Sequence, residues 1–181
     1  MTLETERLFI RSTELVAPEA VAAYQARNRT FMKPYEPARD AEFYTTAFWE
    51  RTLRADLEDE QNDRAYHFYI FPREAPERLI GFLGLTGVTR GDFQSCWLGY
   101  QLDERHINRG YMTEAINAVT AYAFGTLGLH RIEANIMPRN ERSLRVAEKC
   151  GFAREGLSKQ YLRIRGVWED HVRLAKRNEN A

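Results

Sequence analysis

Apolar residues change their spacing along the 181-residue chain, and each change marks an element. Leu8-Phe9-Ile10, flanked by Arg7 and Arg11, reads as a short strand. Pro18 to Tyr24 carries proline in its first turn and reads as a helix. Asn28 to Pro37 holds Pro34 and Pro37 among aromatics and is expected to be irregular. A second helix is predicted from Asp40 through Phe43, Phe48, Trp49 and Leu53 to the neighbourhood of Glu58, with an acidic tail over Asp56 to Asp63.

Strand patterns follow in succession: Tyr66 to Phe71, Leu79 to Val88 and Cys96 to Leu102. Short connections join them, so antiparallel pairing is predicted. The period then becomes helical through Met112, Ala115, Ile116, Val119, Ala123 and Leu127. His130 to Met137 alternates as a strand, and Asn140 to Cys150 is a short helix stopped by Gly151. Tyr161 to Ile164 and His171 to Leu174 flank an Arg165-Gly166 turn. This order fits one central mixed sheet with helices on both faces, in a single domain spanning 1–181.

Composition narrows the function more than the fold. Lys plus Arg number 26 and Asp plus Glu 26, so no global field favours nucleic acid or an anionic membrane. No run of roughly 18 apolar residues suggests a membrane span, and the start, Met1 to Arg7, lacks the pattern of a secretory signal. Cys96 and Cys150 are too few for a disulfide framework, and His67, His106, His130 and His171 show no metal-ligand spacing. The expectation is a cytoplasmic, metal-free protein.

Two segments carry candidate chemistry. After Leu98 to Leu102 comes Asn108-Arg109-Gly110-Tyr111-Met112-Thr113: a strand ends, a basic glycine loop follows, and an amphipathic helix begins. Glycine admits a ligand close to the backbone, and free amides of a first helical turn suit a diphosphate, with Arg105 and Arg109 able to add charge. Many helices begin this way and bind nothing, so this segment alone is best read as a plain helix start. The second segment, Asn140-Glu141-Arg142-Ser143, opens another helix, with Asn140 as N-cap and Ser143 one turn on.

Taken together, the residues resemble the GNAT superfamily of N-acetyltransferases, and within it the RimJ/RimL-type ribosomal-protein N-terminal acetyltransferases. The likeness rests on Glu4-Thr5-Glu6-Arg7-Leu8, Phe31-Met32-Lys33-Pro34-Tyr35-Glu36-Pro37, Gly99-Tyr100 and Arg109 to Ala115. It continues through His130-Arg131-Ile132, Asn140 with Ser143, Glu148-Lys149 with Gly151-Phe152, and Arg165-Gly166 with Trp168, Asp170 and His171. The stretch from Asn28 to Pro37 is most similar to RimJ-type members. The resemblance implies an α/β fold whose seven-stranded, mostly antiparallel mixed sheet is splayed between two strands, with acetyl-CoA in the split. It implies that amides of Asn108, Arg109, Gly110, Tyr111, Met112 and Thr113 hold the diphosphate, that Gln101 and Leu102 pair with the pantetheine arm, and that Asn140 and Ser143 lie near the thioester. Tyr100 and Ser143 are the expected catalytic residues: backbone N–H near Tyr100 for the oxyanion, and Ser143 for the leaving thiolate. Phe31, Tyr35 and Trp168 are expected to line the acceptor groove, whereas Trp49 is expected in the core.

The chain departs from the family pattern in three places. Ile107 stands where a Gln or Arg is usual, Met112 where a Gly or Ala is usual, and Ala147 where many relatives carry a tyrosine acid. No strong base is evident, Gln160 and Glu114 being the residues considered, so relay through water to a carboxylate or carbonyl is expected. A protein α-amine with pKa ~7.7–8 then suits the site better than a lysine at ~10.4, a handicap of roughly 3 kcal/mol. The expected acceptor is a protein N-terminus, with ribosomal proteins as the implied source; a small amine, or acyl-CoA sensing without catalysis, are the alternatives. The assembly is left open between monomer and homodimer.

Overall fold

A computed structural model describes residues 1–179; residues 180 and 181 lie outside the described residues. Among the described residues, eight strands form one sheet in the order β1-β2-β3-β4-β5-β6-β8-β7. They are β1 (Thr2–Glu4), β2 (Leu8–Ser12), β3 (Ala65–Pro72), β4 (Gly81–Thr89), β5 (Ser95–Leu102), β6 (Arg131–Ile136), β7 (Ala153–Ile164) and β8 (Val167–Arg177). Seven strands were expected; the extra one is β1, which pairs with β2 through Leu3 opposite Ile10.

Side-chain alternation along the strands builds a core on each face. On one face α3 (Tyr111–Gly125) and α4 (Glu141–Lys149) pack Met112, Ile116, Val119 and Leu144 against Phe68, Leu83, Leu85 and Leu98. On the other, α1 (Pro18–Met32) and α2 (Thr46–Gln61) pack Val21, Tyr24, Trp49 and Leu53 against Tyr69 and Phe71. Trp49 is buried as expected, its indole N–H donating to the Phe43 carbonyl at 2.8 Å.

The first helix corrects the sequence reading, because it runs on through Asn28 to Met32 before Pro34 stops it. Asn28 is buried; its side-chain N–H donates to the Tyr24 carbonyl at 2.9 Å, and its oxygen accepts from the Glu104 amide at 3.0 Å. That long-range bond satisfies a polar side chain that would otherwise favour ending the helix. The second helix also starts later than expected: a short 3-10 turn at Glu42–Tyr44 precedes α2, which Thr45 caps by accepting from the Phe48 amide at 3.2 Å.

Among the described residues the strand pairs are antiparallel except for the parallel pair β5–β6. Its ladder holds only from Ser95–Arg131 to Trp97–Glu133, after which the strands diverge. Leu98 to Leu102 therefore keep β4 on one side and face a gap on the other. Asp103 donates its amide to the Ile80 carbonyl at 2.7 Å, which fixes the alternation along β5. Gln101 and Gly99 turn their main chain to β4, while Leu98, Tyr100 and Leu102 turn N–H and C=O into the gap.

Candidate active site

The gap opens into a cleft of about 630 Å³, within the range of small-molecule sites. It passes through the sheet, so its lining comes from both faces. Tyr100, Leu102, Ile107, Gly110, Met112 and Ser143 border it on the α3–α4 side. Phe31, Tyr35, Glu36, His67, Gly84 and Gln101 border it on the α1–α2 side.

At the α3 end, Asn108 has φ +58° and Gly110 φ +80°, two left-handed residues that turn the chain abruptly into the helix. Gly110 is the N-cap and has no side chain with which to cap it. The Glu114 amide donates to the Gly110 carbonyl at 3.0 Å, so the amides of Tyr111, Met112 and Thr113 precede the first intrahelical bond. They add partial positive charge beside the cleft. The side chains of Arg109 and Tyr111 do not line it; the Arg109 carbonyl accepts from Arg7 at 2.8 Å, and Arg7 lies over the Tyr111 ring. Glu114, considered as a base from sequence, is fully engaged: it accepts from the Thr5 hydroxyl at 2.6 Å, the Arg7 amide at 2.8 Å and Arg7 Nε at 2.7 Å. Burial alone would raise its pKa, but these bonds hold the carboxyl below its ordinary range.

At the α4 end, Asn140 caps the helix as expected, accepting from the Ser143 amide at 3.3 Å. Ser143 Oγ donates to the Tyr100 hydroxyl at 2.9 Å, and Tyr100 donates to the Ser143 carbonyl at 2.8 Å. Burial raises the Tyr100 pKa strongly, so the phenol stays protonated. Thus the position held by Ala147 is not the only route by which a tyrosine can reach this corner: Tyr100 arrives from β5.

Across the sheet, the loop after α1 is tied over the cleft. Arg139 donates to the Pro34 carbonyl at 2.7 Å and to Glu169 at 2.9 Å, and lies over the Tyr35 ring; Arg142 lies 4.9 Å from the Phe31 ring centroid. Phe31 and Tyr35 border the cleft. Trp168 does not join them: it is 58% exposed on the β7–β8 hairpin, opposite Arg163. Trp168 pairs in regular register close to the tip of that long hairpin, a position that a pattern of residue types does not reveal. Gln160 sits at φ +47° in the irregular stretch, its amide donating to Asp170 at 2.8 Å, and is likewise absent from the lining.

Two cleft residues, Glu36 and His67, received no site role in the sequence reading. Glu36 is 6% exposed, with Oε2 buried, without a hydrogen-bond donor and ion-paired to Arg39 Nε at 3.9 Å. The Gln101 side chain faces it, and its own Oε1 is also buried without a partner. His67 borders the cleft beside Gly84, with Nδ1 3.6 Å from Asp56, whose carboxyl is raised by burial. Cys96 and Cys150 are buried, and burial pushes their thiols up to about 12 and about 11, far from a reactive thiolate. Among the described residues no cluster of His, Cys, Asp or Glu is arranged to hold a metal, and no helix is long and apolar enough to cross a membrane.

Known proteins resemble this chain in sequence and fold. The ribosomal protein uS5-alanine N-acetyltransferase of Escherichia coli (strain K12) is 38% identical over 173 residues, covering 96% of this chain and 89% of that one. The crystal structure of the ribosomal-protein-S5-alanine acetyltransferase from Vibrio fischeri superposes with a TM-score of 0.93 at 32% identity, over 99% of this chain and 98% of that one. RimJ of Mycobacterium smegmatis, solved in complex with CoA-disulfide, gives 0.86 at 26% identity over 95% and 82%. The acetyltransferase (GNAT) domain model matches residues 7–153, a stretch that runs from the Arg7 tether through the parted strands to the start of β7. With a sheet opened between β5 and β6 and these relatives around it, the chain belongs to the GNAT family and is an N-acetyltransferase.

Proposed function

We propose that this enzyme transfers acetyl from acetyl-CoA to the N-terminal α-amine of a protein, with a ribosomal protein as the class of acceptor. The observation that carries the reading is the slot through the sheet, bordered on one face by the uncapped α3 N-terminus and on the other by a tied aromatic loop. The diphosphate suits the amides of Asn108 to Thr113, where a Cβ on Gly110 would meet Arg7 Nη2 at 3.2 Å. The pantetheine amides suit the main chain of Leu98, Tyr100 and Leu102, which faces the gap. Gln101 differs from the sequence expectation, since its backbone serves β4 and only its side chain reaches the cleft.

In this reading a main-chain N–H at Tyr100 or Leu102 steadies the developing oxyanion, a kind of contact commonly worth ~2.7–4 kcal/mol. The hydroxyls of Ser143 and Tyr100 form one donor unit for the departing thiolate. A thiol of pKa ~8.5 needs only modest help. Ser143→Ala is accordingly expected to lower kcat about tenfold with the affinity for acetyl-CoA little changed, below the usual ~10²–10⁴-fold for a proton donor because the thiolate needs so little help. Tyr100→Phe should cost about the same, and the double variant little more than either, because coupled groups are not additive. Steady-state kinetics of the three variants checks this; full activity of Ser143→Ala would remove the pair from the mechanism.

The similarity to the uS5-alanine enzyme supports a protein N-terminus as acceptor. Assay of basic peptides beginning with Ala or Ser, beside spermidine and free amino acids, tests the choice. Preference for the small amines would overturn it, and tight acetyl-CoA binding with no transfer would point to sensing.

A further inference from the structure

Resting on the acetyl-transfer reading above, we propose that Glu36 receives the acceptor's ammonium group and takes its proton, with Gln101 as the second acceptor that orients it. Buried polar atoms are nearly always paired, so an unpaired one that borders a cleft is a candidate contact for what the cleft binds. Besides His67 Nδ1 and Asn135 Oδ1, two such atoms occur on side chains that face each other: Glu36 Oε2 and Gln101 Oε1 are both buried, both without a hydrogen-bond donor, and both in residues that border the cleft. Both are acceptors. A ligand that completes them must bring several N–H or O–H donors on one small centre, and an ammonium does.

The surroundings fit this role. Arg39 Nε lies 3.9 Å from Glu36 Oε2, beyond hydrogen-bond reach. Arg165 contributes from the β7–β8 turn, and buried Tyr24 faces the carboxylate from α1. Burial raises the Glu36 pKa, opposed by Arg39, Gln101 and Arg165. A carboxylate raised by burial is a better proton acceptor near neutral pH than an exposed one. Position agrees as well: Gln101 neighbours Tyr100 and Leu102, whose amides face the gap, so the amine is held beside the point where the oxyanion forms. Pro34 and Pro37 bracket Glu36, and Arg139 anchors the loop through the Pro34 carbonyl.

The step balances as follows. The Glu36 carboxylate takes one proton from R–NH3⁺ and later releases it to solvent. The neutral nitrogen bonds to the thioester carbonyl carbon as the C–S bond breaks. Ser143 Oγ gives its proton to the sulfur and is reprotonated by the proton lost from the new amide nitrogen. The products are the acetamide, CoA–SH and one proton in water.

The test is Glu36→Gln, which keeps shape and removes charge, assayed with an N-terminal-Ala peptide. We expect kcat/KM at pH 7 to fall about 100-fold, with acetyl-CoA affinity by calorimetry unchanged. Wild-type kcat/KM should level off below the pKa of the acceptor amine, and the variant should keep rising until ~7.7–8, where the amine loses its own proton. An acceptor whose amine pKa is about two units lower should bring the variant to within about fivefold of wild type, since it arrives largely neutral. Equal losses with both acceptors, or no loss, would overturn the assignment. Should Glu36→Gln fail to fold, Glu36→Asp replaces it: the acceptor KM should rise several-fold with the acidic limb retained, and an unchanged KM would overturn the proposal. A wild-type protein that binds no acetyl-CoA or acetylates no amine would instead defeat the underlying reading.

Discussion

Gly110→Val is expected to weaken acetyl-CoA binding by about 100-fold or more. Gly110 holds φ +80°, a region that β-branched residues enter only at a cost of about 1–3 kcal/mol. Its new Cβ would stand 3.2 Å from Arg7 Nη2. Arg7 cannot easily yield, because Glu114 and the Arg109 carbonyl hold it at 2.7 and 2.8 Å. The loop must therefore turn, and the amides of Tyr111 to Thr113 turn with it; about 2.7 kcal/mol is a hundredfold in affinity. Gly91→Val is the control, since Gly91 has φ +71° with no atom within 4 Å of a built Cβ and does not border the cleft. Calorimetry that finds Gly110→Val within threefold of wild type would contradict the placement of the diphosphate.

The second large effect is on stability. Asp103, 1% exposed, accepts from Arg27 Nε at 2.6 Å and from the Arg105 amide at 2.9 Å, joining α1 to the turn after β5. Asp103→Ala leaves Arg27 without its anion and the turn without its cap, and should cost about 3 kcal/mol. The lower end of the usual range applies because the Arg27 side chain is 32% exposed. Burial by itself would raise the Asp103 pKa, but the Arg27 and Arg105 bonds and the Arg27 charge hold it below the ordinary value. A depressed folded pKa contributes stability that is complete above ~3.9 and declines as pH falls through the folded value. Urea midpoints should thus separate wild type and variant widely at pH 7 and less in stronger acid. A variant as stable as wild type at pH 7 would refute the role.

How much of this was legible in the sequence depended on distance along the chain. The Gly110 turn and the Asn140 cap were read correctly because each is settled within a few residues: a left-handed glycine before an apolar helix, and a side chain bonding three residues on. The splayed sheet followed from family resemblance rather than from spacing, and the short β5–β6 ladder bears it out. The reach of α1 through Asn28 was missed because the partner of Asn28 is the Glu104 amide, supplied only by the folded chain. Glu36 was passed over for the same reason. A carboxylate between two prolines looks like a solvated loop, and only the fold buries it against Gln101. Trp168 differs in the opposite sense: an aromatic beside a site-like motif lies outside the cleft lining, exposed on a hairpin. The Tyr100–Ser143 contact joins residues on a strand and a helix that no local pattern brings together.

A passage that pierces the sheet has two mouths. If carrier and acceptor each use their own, neither blocks the other's arrival, and the acetyl group never needs to be parked on the protein between visits. The deep placement of both sulfurs agrees with such direct handover. Initial-rate plots against the two reactants should then cross instead of running parallel, and an inert look-alike of either partner should leave the other's docking intact.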